Sequence, residues 1–352
     1  MKAEKKKVLF LYTELAGYFL SCVEVLLHRG LEVHIVRWPV NSEAPFEFEA
    51  PEGLKIYERY EMSSSELQQL CRSIQPDILL CSGWIDKEYL KICQLFKSKI
   101  PRVLLLDNQW KGRWKQRLAT IAFIFIRTNY FDKAWVAGDA QFDYACKLGF
   151  AENLIAKGFY SADTQRFQEI YRQNVELKAK QFPRRFLYVG RYVEFKGLDE
   201  LWSAFRIIHK LYPDWELWCI GTGEMWDSRA NLEGLRHIGF VQPKEMGEYL
   251  KDCGIFVLPS RKEPWGVVVQ EMAAAGFPLI LSSEVGAASA YLVEEQNGFL
   301  FEAGDRESLL RAMELAIKLT DQQRFQMGEI SHNKAIAYSP EIWADTLQKL
   351  MQ

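Results

Sequence analysis

The sequence lacks the marks of several large classes of protein. Its seven cysteines are odd in number and form no C-x-x-C pair, so we interpret them as small core residues of a protein in a reducing compartment. No apolar run approaches the roughly 20 residues that a membrane-spanning helix needs. No signal-peptide pattern follows the basic start, and the five histidines form no metal-binding set. The formal net charge of -2 argues against a general attraction to nucleic acids.

Apolar strand-like runs alternate with helix-like stretches along most of the 352 residues. This alternation predicts an α/β protein whose parallel sheets are covered by helices on both faces. A polar segment at 166–180 interrupts the series and divides the chain into two predicted Rossmann-like domains, 1–170 and 171–338. A Ser-Pro pair predicts a last helix over about 339–352. The predicted strands are 8–12, 32–36, 77–81, 102–106, 134–136, 185–189, 216–220, 255–258 and 278–281.

Two glutamates, Glu263 and Glu271, are separated by seven residues around a predicted helix start. Gly266 lets the backbone approach a ligand closely. The first amides of the following helix, at Val267 and Val268, lack intrahelical partners and can bind an anion. The pattern indicates a site for a phosphate that carries a sugar, with an acid on either side. The alternative is a surface loop and a helix with two unrelated glutamates.

This arrangement resembles the E-x7-E motif of retaining GT-B glycosyltransferases of the family-4 type, and the resemblance covers about 185–345. It implies a GT-B fold, in which two doubly wound Rossmann-like domains face a central cleft that holds the active site. The last helix is then expected to cross back onto the N-terminal domain, which binds the acceptor. The implied reaction moves a monosaccharide from a UDP- or GDP-sugar to an acceptor hydroxyl with retention of anomeric configuration.

The resemblance also implies roles for individual residues. In that family the second glutamate holds the ribose and the first contacts the donor sugar, which assigns these roles to Glu271 and Glu263. Arg191 and Lys196 match the two cations that grip the donor diphosphate, where they would offset the charge of the leaving group. Without the resemblance, these two residues would be interpreted as a solvated basic turn.

Further positions in the second domain match the family more loosely. Gly190 ends a predicted strand, and Gly221 and Gly223 form a loop that borders the nucleotide in the family, although a tight turn alone would explain them. Val241 matches a strand-end position where backbone groups meet the base. The segment 285–288 departs from the family, because many members carry a glycine pair there.

The first domain matches the family poorly and leaves alternatives open. Gly17, in the first strand–helix turn, either brings the backbone near the diphosphate or is only a turn residue. Asp107 follows the strand 102–106, where relatives often place a histidine. It is expected either to bind sugar hydroxyls and orient the acceptor, or to cap the next helix.

The segment 111–126 begins with basic residues and tryptophan and continues into an apolar run. This composition suits an interfacial helix on an anionic membrane, and it equally suits a buried helix with a solvated start. The cysteine pattern predicts a cytoplasmic protein. An interfacial helix at 111–126 would place this protein peripherally on the inner face of the plasma membrane.

No D-x-D occurs in the chain, which removes the usual metal motif of the other glycosyltransferase fold. We expect no cofactor and no metal beyond the nucleotide-sugar substrate. The expected partners are this donor and a saccharide or lipid-linked saccharide acceptor, as in polysaccharide, lipopolysaccharide or glycolipid biosynthesis, without nucleic acid. Two other functions would suit the same ligand: a GT-B nucleotide-sugar epimerase and a non-catalytic nucleotide-sugar-binding protein.

Overall fold

The computed structural model describes residues 5–13, 15–39 and 50–352, so Glu14 of the predicted first turn lies outside the described residues, as does the side chain of Lys115. The chain divides into two compact units. The first comprises the described residues up to Ser161 together with Pro340–Gln352, and the second is Ala162–Ser339.

The described part of the first unit contains a seven-stranded parallel sheet in the order β3-β2-β1-β4-β5-β6-β7. The order reverses direction beside β1, as expected of a doubly wound sheet. Buried apolar side chains fill β1, β4, β5 and β6 because helices follow most of the strands and cover the sheet. The strands are β1 (Lys7–Leu11), β2 (Glu32–Arg37), β3 (Lys55–Glu58), β4 (Ile78–Ser82), β5 (Arg102–Leu106), β6 (Lys133–Val136) and β7 (Ile155–Lys157). The helices are α1 (Gly17–His28), α2 (Ser64–Ile74), α3 (Lys87–Leu95), α4 (Trp114–Tyr130) and α5 (Asp139–Lys147), together with α13 (Pro340–Leu350).

The C-terminal helix α13 is part of the core of the first unit. Trp343 is fully buried, with ring centroids 4.7 Å from Trp135 and 5.8 Å from Phe19. Its indole Nε1 donates a hydrogen bond of 2.7 Å to the carbonyl of Phe159. A buried aromatic side chain of this size with its polar atom satisfied holds a helix firmly in place.

The second unit contains a six-stranded parallel sheet in the order β10-β9-β8-β11-β12-β13. Its order reverses direction between β8 and β11. The strands are β8 (Arg185–Val189), β9 (Glu216–Ile220), β10 (Leu235–His237), β11 (Ile255–Leu258), β12 (Leu279–Ser282) and β13 (Gly298–Phe301). The helices are α6 (Thr164–Lys180), α7 (Leu198–Leu211), α8 (Gly247–Leu250), α9 (Val267–Ala274), α10 (Ala288–Tyr291), α11 (Arg306–Lys318) and α12 (Asp321–Ile336).

The connection between the units lies at residues 161 and 162 rather than near 170. The polar segment interpreted as an interruption is helix α6, which packs against α9 and α12 of the second unit. Gln270 of α9 joins the ends of these helices: its Oε1 accepts from the Ala162 amide at 2.7 Å, and its Nε2 donates to the carbonyls of Ala335 and Tyr338. These bonds satisfy a fully buried amide.

Helix α4, which covers most of the segment 111–126, is an exposed helix rather than a buried one. Among its described side chains only Thr120 and Phe123 are buried, whereas Phe125 is 79% exposed. No helix in the described residues combines the length and apolar character required to cross a bilayer. The cysteines are all free, and every one except Cys146 is buried, as expected of core residues.

Candidate functional site in the second unit

The predicted donor-site residues of the second domain follow the carboxyl ends of its central strands. The sheet order changes direction between β8 and β11, and ligands of doubly wound sheets bind beyond such a switch point. The loop after β8 carries Arg191 and Lys196, and the loop after β11 carries Glu263 and Gly266. Glu271 lies in α9, which begins directly after that second loop.

The loops after β8 and β11 press against each other. Gly197 has a φ of +69°, and a Cβ at this position would lie 2.2 Å from the carbonyl oxygen of Pro259. The Arg261 amide donates to the carbonyl of Phe195 at 2.8 Å. Only glycine permits both this backbone conformation and this close approach.

The close packing of the loops brings Lys196 and Glu263 together. Lys196 Nζ donates to Glu263 Oε2, and both side chains are nearly buried, at 12% and 13% exposed. The Ser260 hydroxyl donates to the same carboxylate oxygen at 3.3 Å. A charge pair with so little access to water needs such additional hydrogen bonds to offset the loss of hydration. The residue predicted to contact the donor sugar, Glu263, and a residue predicted to bind the diphosphate, Lys196, are therefore direct neighbours.

Helix α9 begins at Val267, and no side chain caps its first turn. Gly266 precedes it with a φ of +94°, and a Cβ there would lie 2.9 Å from Cγ of Glu263. The amides at the helix start, which include those of Val267 and Val268, thus follow directly on the loop that carries Glu263, and in the described structure no N-cap side chain bonds them. Uncapped amides and the positive end of the helix dipole favour an anion at this point.

Glu271 lies one turn inside α9 and is partly buried. Burial, followed by the charge of Asp163, raises its pKa to about 7, while the charge of Arg166 acts in the opposite direction. Asp163 caps the start of α6, where its carboxylate accepts from the Arg166 amide at 3.1 Å. A carboxyl group with this pKa exchanges its proton near neutral pH, so it can both accept and donate hydrogen bonds to a hydroxyl.

The predicted glycines after β8 and β9 form a tight junction. A Cβ at Gly221, which has a φ of +135°, would lie 2.0 Å from the carbonyl oxygen of Gly190, and one at Gly223 would lie 2.7 Å from the carbonyl oxygen of Tyr192. Arg191 lies between these glycine contacts, with its guanidinium carbon 5.7 Å from the ring centroid of Phe195. The junction holds the backbone that presents Arg191.

The strand-end segment after β10 joins the same edge of the sheet. The Gly221 amide donates to the carbonyl of Gly239 at 2.7 Å, and Val241 follows two residues later and is buried. Near Glu263, the Gly286 amide donates to the carbonyl of Glu263 at 3.0 Å, and Glu263 and Val285 form an isolated parallel bridge. The segment 285–288, which departs from the family, thus supports the first glutamate through its backbone.

The structure also places residues at the site that the sequence interpretation missed. Ser260 bonds Glu263, as described above, and its own carbonyl accepts from the buried Ser282 hydroxyl at 2.5 Å. Arg261 pairs with Glu200 of α7 at 2.5 Å, which raises the pKa of the arginine. A serine and an arginine after a strand carry no sequence signal of their own, because their partners are distant in the chain.

In the first unit, Asp107 follows the carboxyl end of β5. Its Oδ2 accepts from the Tyr160 hydroxyl at 3.1 Å, and its carbonyl accepts from Gln141 Nε2 at 2.9 Å. Burial, followed by the charge of Asp107, raises the pKa of Tyr160 well above its ordinary value. Asp107 does not cap α4, because Arg113 occupies the N-cap and makes no side-chain capping bond; that alternative was wrong. Gly17 is the first residue of α1, whose start also lacks a side-chain cap.

The described residues contain no group of three or more histidine, cysteine, aspartate or glutamate side chains arranged to hold a metal ion. Arg191 and Lys196, in the loop after β8, are the cations assigned to the predicted phosphate position.

Comparison with solved structures places the fold in a known class. The chain is similar to Anabaena HepE, solved in complex with UDP, with a TM-score of 0.74 and 13% sequence identity, covering 97% of this chain and 98% of that one. Together with the two doubly wound parallel units, this likeness defines the GT-B glycosyltransferase fold, as predicted.

Comparison of sequences shows similarity to glycosyltransferases. Residues 169–334 match the model of the family described as glycosyl transferases group 1. An uncharacterized glycosyltransferase of Methanocaldococcus jannaschii is 29% identical over 256 residues, which cover 71% of this chain and 65% of that protein. One of Haemophilus influenzae is 27% identical over 170 residues, which cover 45% of this chain and 48% of that protein. The chain thus spans about half to two thirds of the length of these relatives. The similarity to glycosyl transferases group 1 thus lies in residues 169–334, almost all of the second unit.

Proposed function

We propose that this protein transfers a monosaccharide from a nucleotide diphosphate sugar, with UDP or GDP as the nucleotide, to an acceptor hydroxyl with retention of anomeric configuration. The observation that carries the proposal is the Lys196–Glu263 pair beside the uncapped start of α9, with Glu271 one turn further along. A cation, uncapped amides and two acids are the groups that a diphosphate flanked by ribose and sugar requires.

In this proposal Lys196 changes partners when the donor binds. A donor phosphate at the start of α9 competes with Glu263 for the Lys196 ammonium, and the released carboxylate accepts hydrogen bonds from hydroxyls of the donor sugar. Arg191, Lys196 and the amides of Val267 and Val268 then stabilise the charge that grows on the diphosphate as the bond to the anomeric carbon breaks.

The nucleotide part is assigned to the remaining groups of the second unit. Glu271 holds the ribose hydroxyls, for which a pKa of about 7 is suited because the carboxyl group is available as donor or acceptor. The glycine junction at Gly190, Gly221 and Gly223 lets the backbone approach the nucleotide, and the backbone at Val241 contacts the base. The UDP bound by the structurally similar Anabaena HepE supports a nucleotide ligand.

The acceptor is assigned to the first unit, where Asp107 orients its hydroxyl and Gly17 admits the donor diphosphate near the start of α1. The departing phosphate deprotonates the incoming hydroxyl, so no further base is required. Arg191 and Lys196 supply the positive charge that a metal ion would otherwise provide, and we therefore propose a reaction independent of divalent metal.

The proposed setting is the synthesis of a polysaccharide, lipopolysaccharide or glycolipid, with a saccharide or lipid-linked saccharide as acceptor. We also propose that the protein is cytoplasmic and that residues 111–126 contact the inner face of the plasma membrane peripherally.

Incubation with a panel of UDP- and GDP-sugars, with sugar acceptors and with water alone, tests the proposal through release of nucleoside diphosphate. We expect release with one donor, unchanged activity in EDTA, and a product whose anomeric proton signal matches the configuration of the donor. Donor binding by calorimetry without release would identify a non-catalytic binding protein. An epimerised donor in the absence of acceptor would identify an epimerase.

A further inference from the structure

Helix α4 presents a continuous apolar stripe to solvent. Four large side chains spaced four, three and four residues apart lie on one face of the helix. They are Trp114, Leu118, Ile121 and Phe125, with exposed fractions of 67%, 59%, 57% and 79%. We call these four side chains the α4 stripe. Exposed apolar side chains are usually scattered, and a continuous row marks a surface that another phase or molecule covers.

Basic residues surround the beginning of this stripe. Lys111, Arg113 and Arg117 are exposed at the Trp114 end of the helix, and residues 108–131 contain no aspartate or glutamate. An apolar face with tryptophan, flanked by cations without acids, has the composition of helices that lie in the headgroup region of anionic bilayers. The charge also argues against self-association, because an isologous contact would bring two copies of this acid-free basic segment together.

The stripe lies on the helix that follows Asp107, the residue proposed to orient the acceptor. Asp107 directly follows β5, and α4 starts at Trp114 on the same edge of the sheet, because the chain leaves each strand at that edge. Gln116 fixes the intervening loop: its Nε2 donates to the carbonyl of Gln109 at 2.9 Å, and its Oε1 accepts from the Lys111 amide at 2.8 Å. A membrane bound by α4 would therefore contact the protein near Asp107.

From this placement we infer that the α4 stripe inserts into the surface of an anionic bilayer and that the acceptor is an amphiphile, a hydroxyl-bearing headgroup on a lipid anchored in that bilayer. The acceptor part rests on the proposed glycosyl transfer, whereas the membrane part rests on α4 alone. Insertion would bring the headgroup to the Asp107 edge of the first unit and replace diffusion from solution with a search along the membrane plane.

Co-sedimentation of the full chain with vesicles tests the membrane part. We compare vesicles of phosphatidylcholine with vesicles containing an equal share of phosphatidylglycerol, between 50 mM and 500 mM salt. The Ile121→Ser/Phe125→Ser variant removes half of the stripe, and Arg113→Gln/Arg117→Gln removes charge. The matched control is Leu211→Ser/Leu315→Ser, which alters two side chains that are 57% and 51% exposed on other helices. Circular dichroism and gel filtration check that every variant is folded.

We expect the wild type and the control to bind the anionic vesicles equally, with binding that falls as salt rises. The stripe variant should bind at least tenfold more weakly, and the charge variant several-fold more weakly. Equal binding by the stripe variant and the wild type overturns the inference. So does a wild-type dimer that the stripe variant abolishes in the absence of vesicle binding, because a second copy would then cover the stripe.

The acceptor part is tested with pairs of methyl and dodecyl glycosides of glucose, mannose, galactose and N-acetylglucosamine. The dodecyl glycosides are incorporated in the vesicles. We expect at least tenfold higher transfer to a dodecyl glycoside, an advantage lost in the stripe variant, while donor hydrolysis by water stays unchanged. Preference for a methyl glycoside, or no transfer to any dodecyl glycoside, overturns the acceptor class. Vesicle binding without any release of nucleoside diphosphate would instead refute the proposed function and leave the membrane surface standing.

Discussion

Lys196 and Glu263 are 67 residues apart in the chain, and their side chains form a nearly buried ion pair. The pair lies in the loops that follow the carboxyl ends of the central strands β8 and β11. Each residue has its own proposed ligand, a phosphate for the lysine and a sugar hydroxyl for the glutamate. The pair therefore positions both groups before the donor arrives, and each charge offsets the other where the side chains have little access to water.

Replacement of Lys196 by methionine should lower kcat by about 100- to 1000-fold, because a preorganised charge that stabilises the transition state is lost. The Michaelis constant for the donor should change less. Lys262→Met, an exposed lysine in the loop that carries Glu263, is the matched control and should retain activity. Steady-state kinetics with the preferred donor measure both constants. A similar loss in both variants would point to general damage to the loop and not to a role of Lys196.

Replacement of Glu271 by alanine should weaken donor binding by about 10- to 100-fold, the effect of losing a hydrogen bond to a charged group of about 1.5–3 kcal/mol. Isothermal titration with the nucleoside diphosphate alone measures this effect and separates it from catalysis. Glu176→Ala, on the exposed surface of α6, is the control. Unchanged affinity in the Glu271 variant would contradict the ribose assignment.

The pKa of Glu271 predicts a pH dependence of stability. In the unfolded chain this carboxyl group titrates near 4.3, whereas in the folded protein its pKa is about 7. Between these values the folded state retains a proton that the unfolded state has lost, so the wild type loses stability as the pH rises through this window and the full loss is present above pH 7. Glu271→Gln removes the titration.

The difference in melting temperature between Glu271→Gln and the wild type should accordingly increase from pH 4 to pH 8 in favour of the variant. Because the side chain is partly exposed, we expect a change of about 1–2 kcal/mol, or a few degrees. Thermal unfolding at a series of pH values measures it, with Glu176→Gln as the reference. A difference that is constant with pH would mean that the carboxyl group titrates normally.

Replacement of Gly197 by alanine tests the contact between the two loops. Gly304 provides a close control, because its φ of +78° resembles the +69° of Gly197 while a Cβ there meets nothing within 4 Å. Gly304→Ala should cost about 1–2 kcal/mol through backbone strain alone. Gly197→Ala should cost clearly more and also reduce turnover, because the Cβ pushes the loop with Lys196 away from the loop with Glu263. Equal melting temperatures and activities for both variants would show that this contact matters neither for stability nor for activity.

Replacement of Tyr160 by phenylalanine removes the hydroxyl that bonds Asp107 and tests the acceptor assignment. The Michaelis constant for the acceptor should rise several-fold, since one hydrogen bond to a carboxylate is lost, while donor affinity stays constant. Tyr60→Phe, a tyrosine of the same unit that is 63% exposed, is the control. An effect on donor affinity in place of acceptor use would reassign Asp107 to the donor.

Much of the fold was predictable because periodic apolar runs report burial directly. The strands at 102–106, 185–189 and 216–220 were predicted with the bounds that the structure has. The four-residue or shorter edge strands β3, β7, β10 and β13 were not predicted. In β3, β7 and β10 the side chains are mostly partly exposed, so the sequence has no continuous apolar run. Helix α6 was missed because most of its side chains face water, so its sequence is as polar as that of a linker.

The candidate site likewise has features that could be predicted from the sequence and features that could not. The glycine and helix start at Gly266 are local features, and the sequence was sufficient to identify them. The Lys196–Glu263 pair depends on two loops that meet only when β8 and β11 lie side by side, so spacing along the chain could not reveal it. The bond from Tyr160 to Asp107 is a long-range contact of the same kind.

The return of α13 to the first unit has a consequence for the order in which the protein is made. Phe19 and Trp135 pack against Trp343, which leaves the ribosome almost 200 residues after the last strand of their sheet, β7. The second unit, by contrast, is complete in sequence once Ser339 has been synthesised. During translation the first unit therefore waits with an uncovered aromatic surface, whereas the second unit has every segment that it needs before the chain is finished.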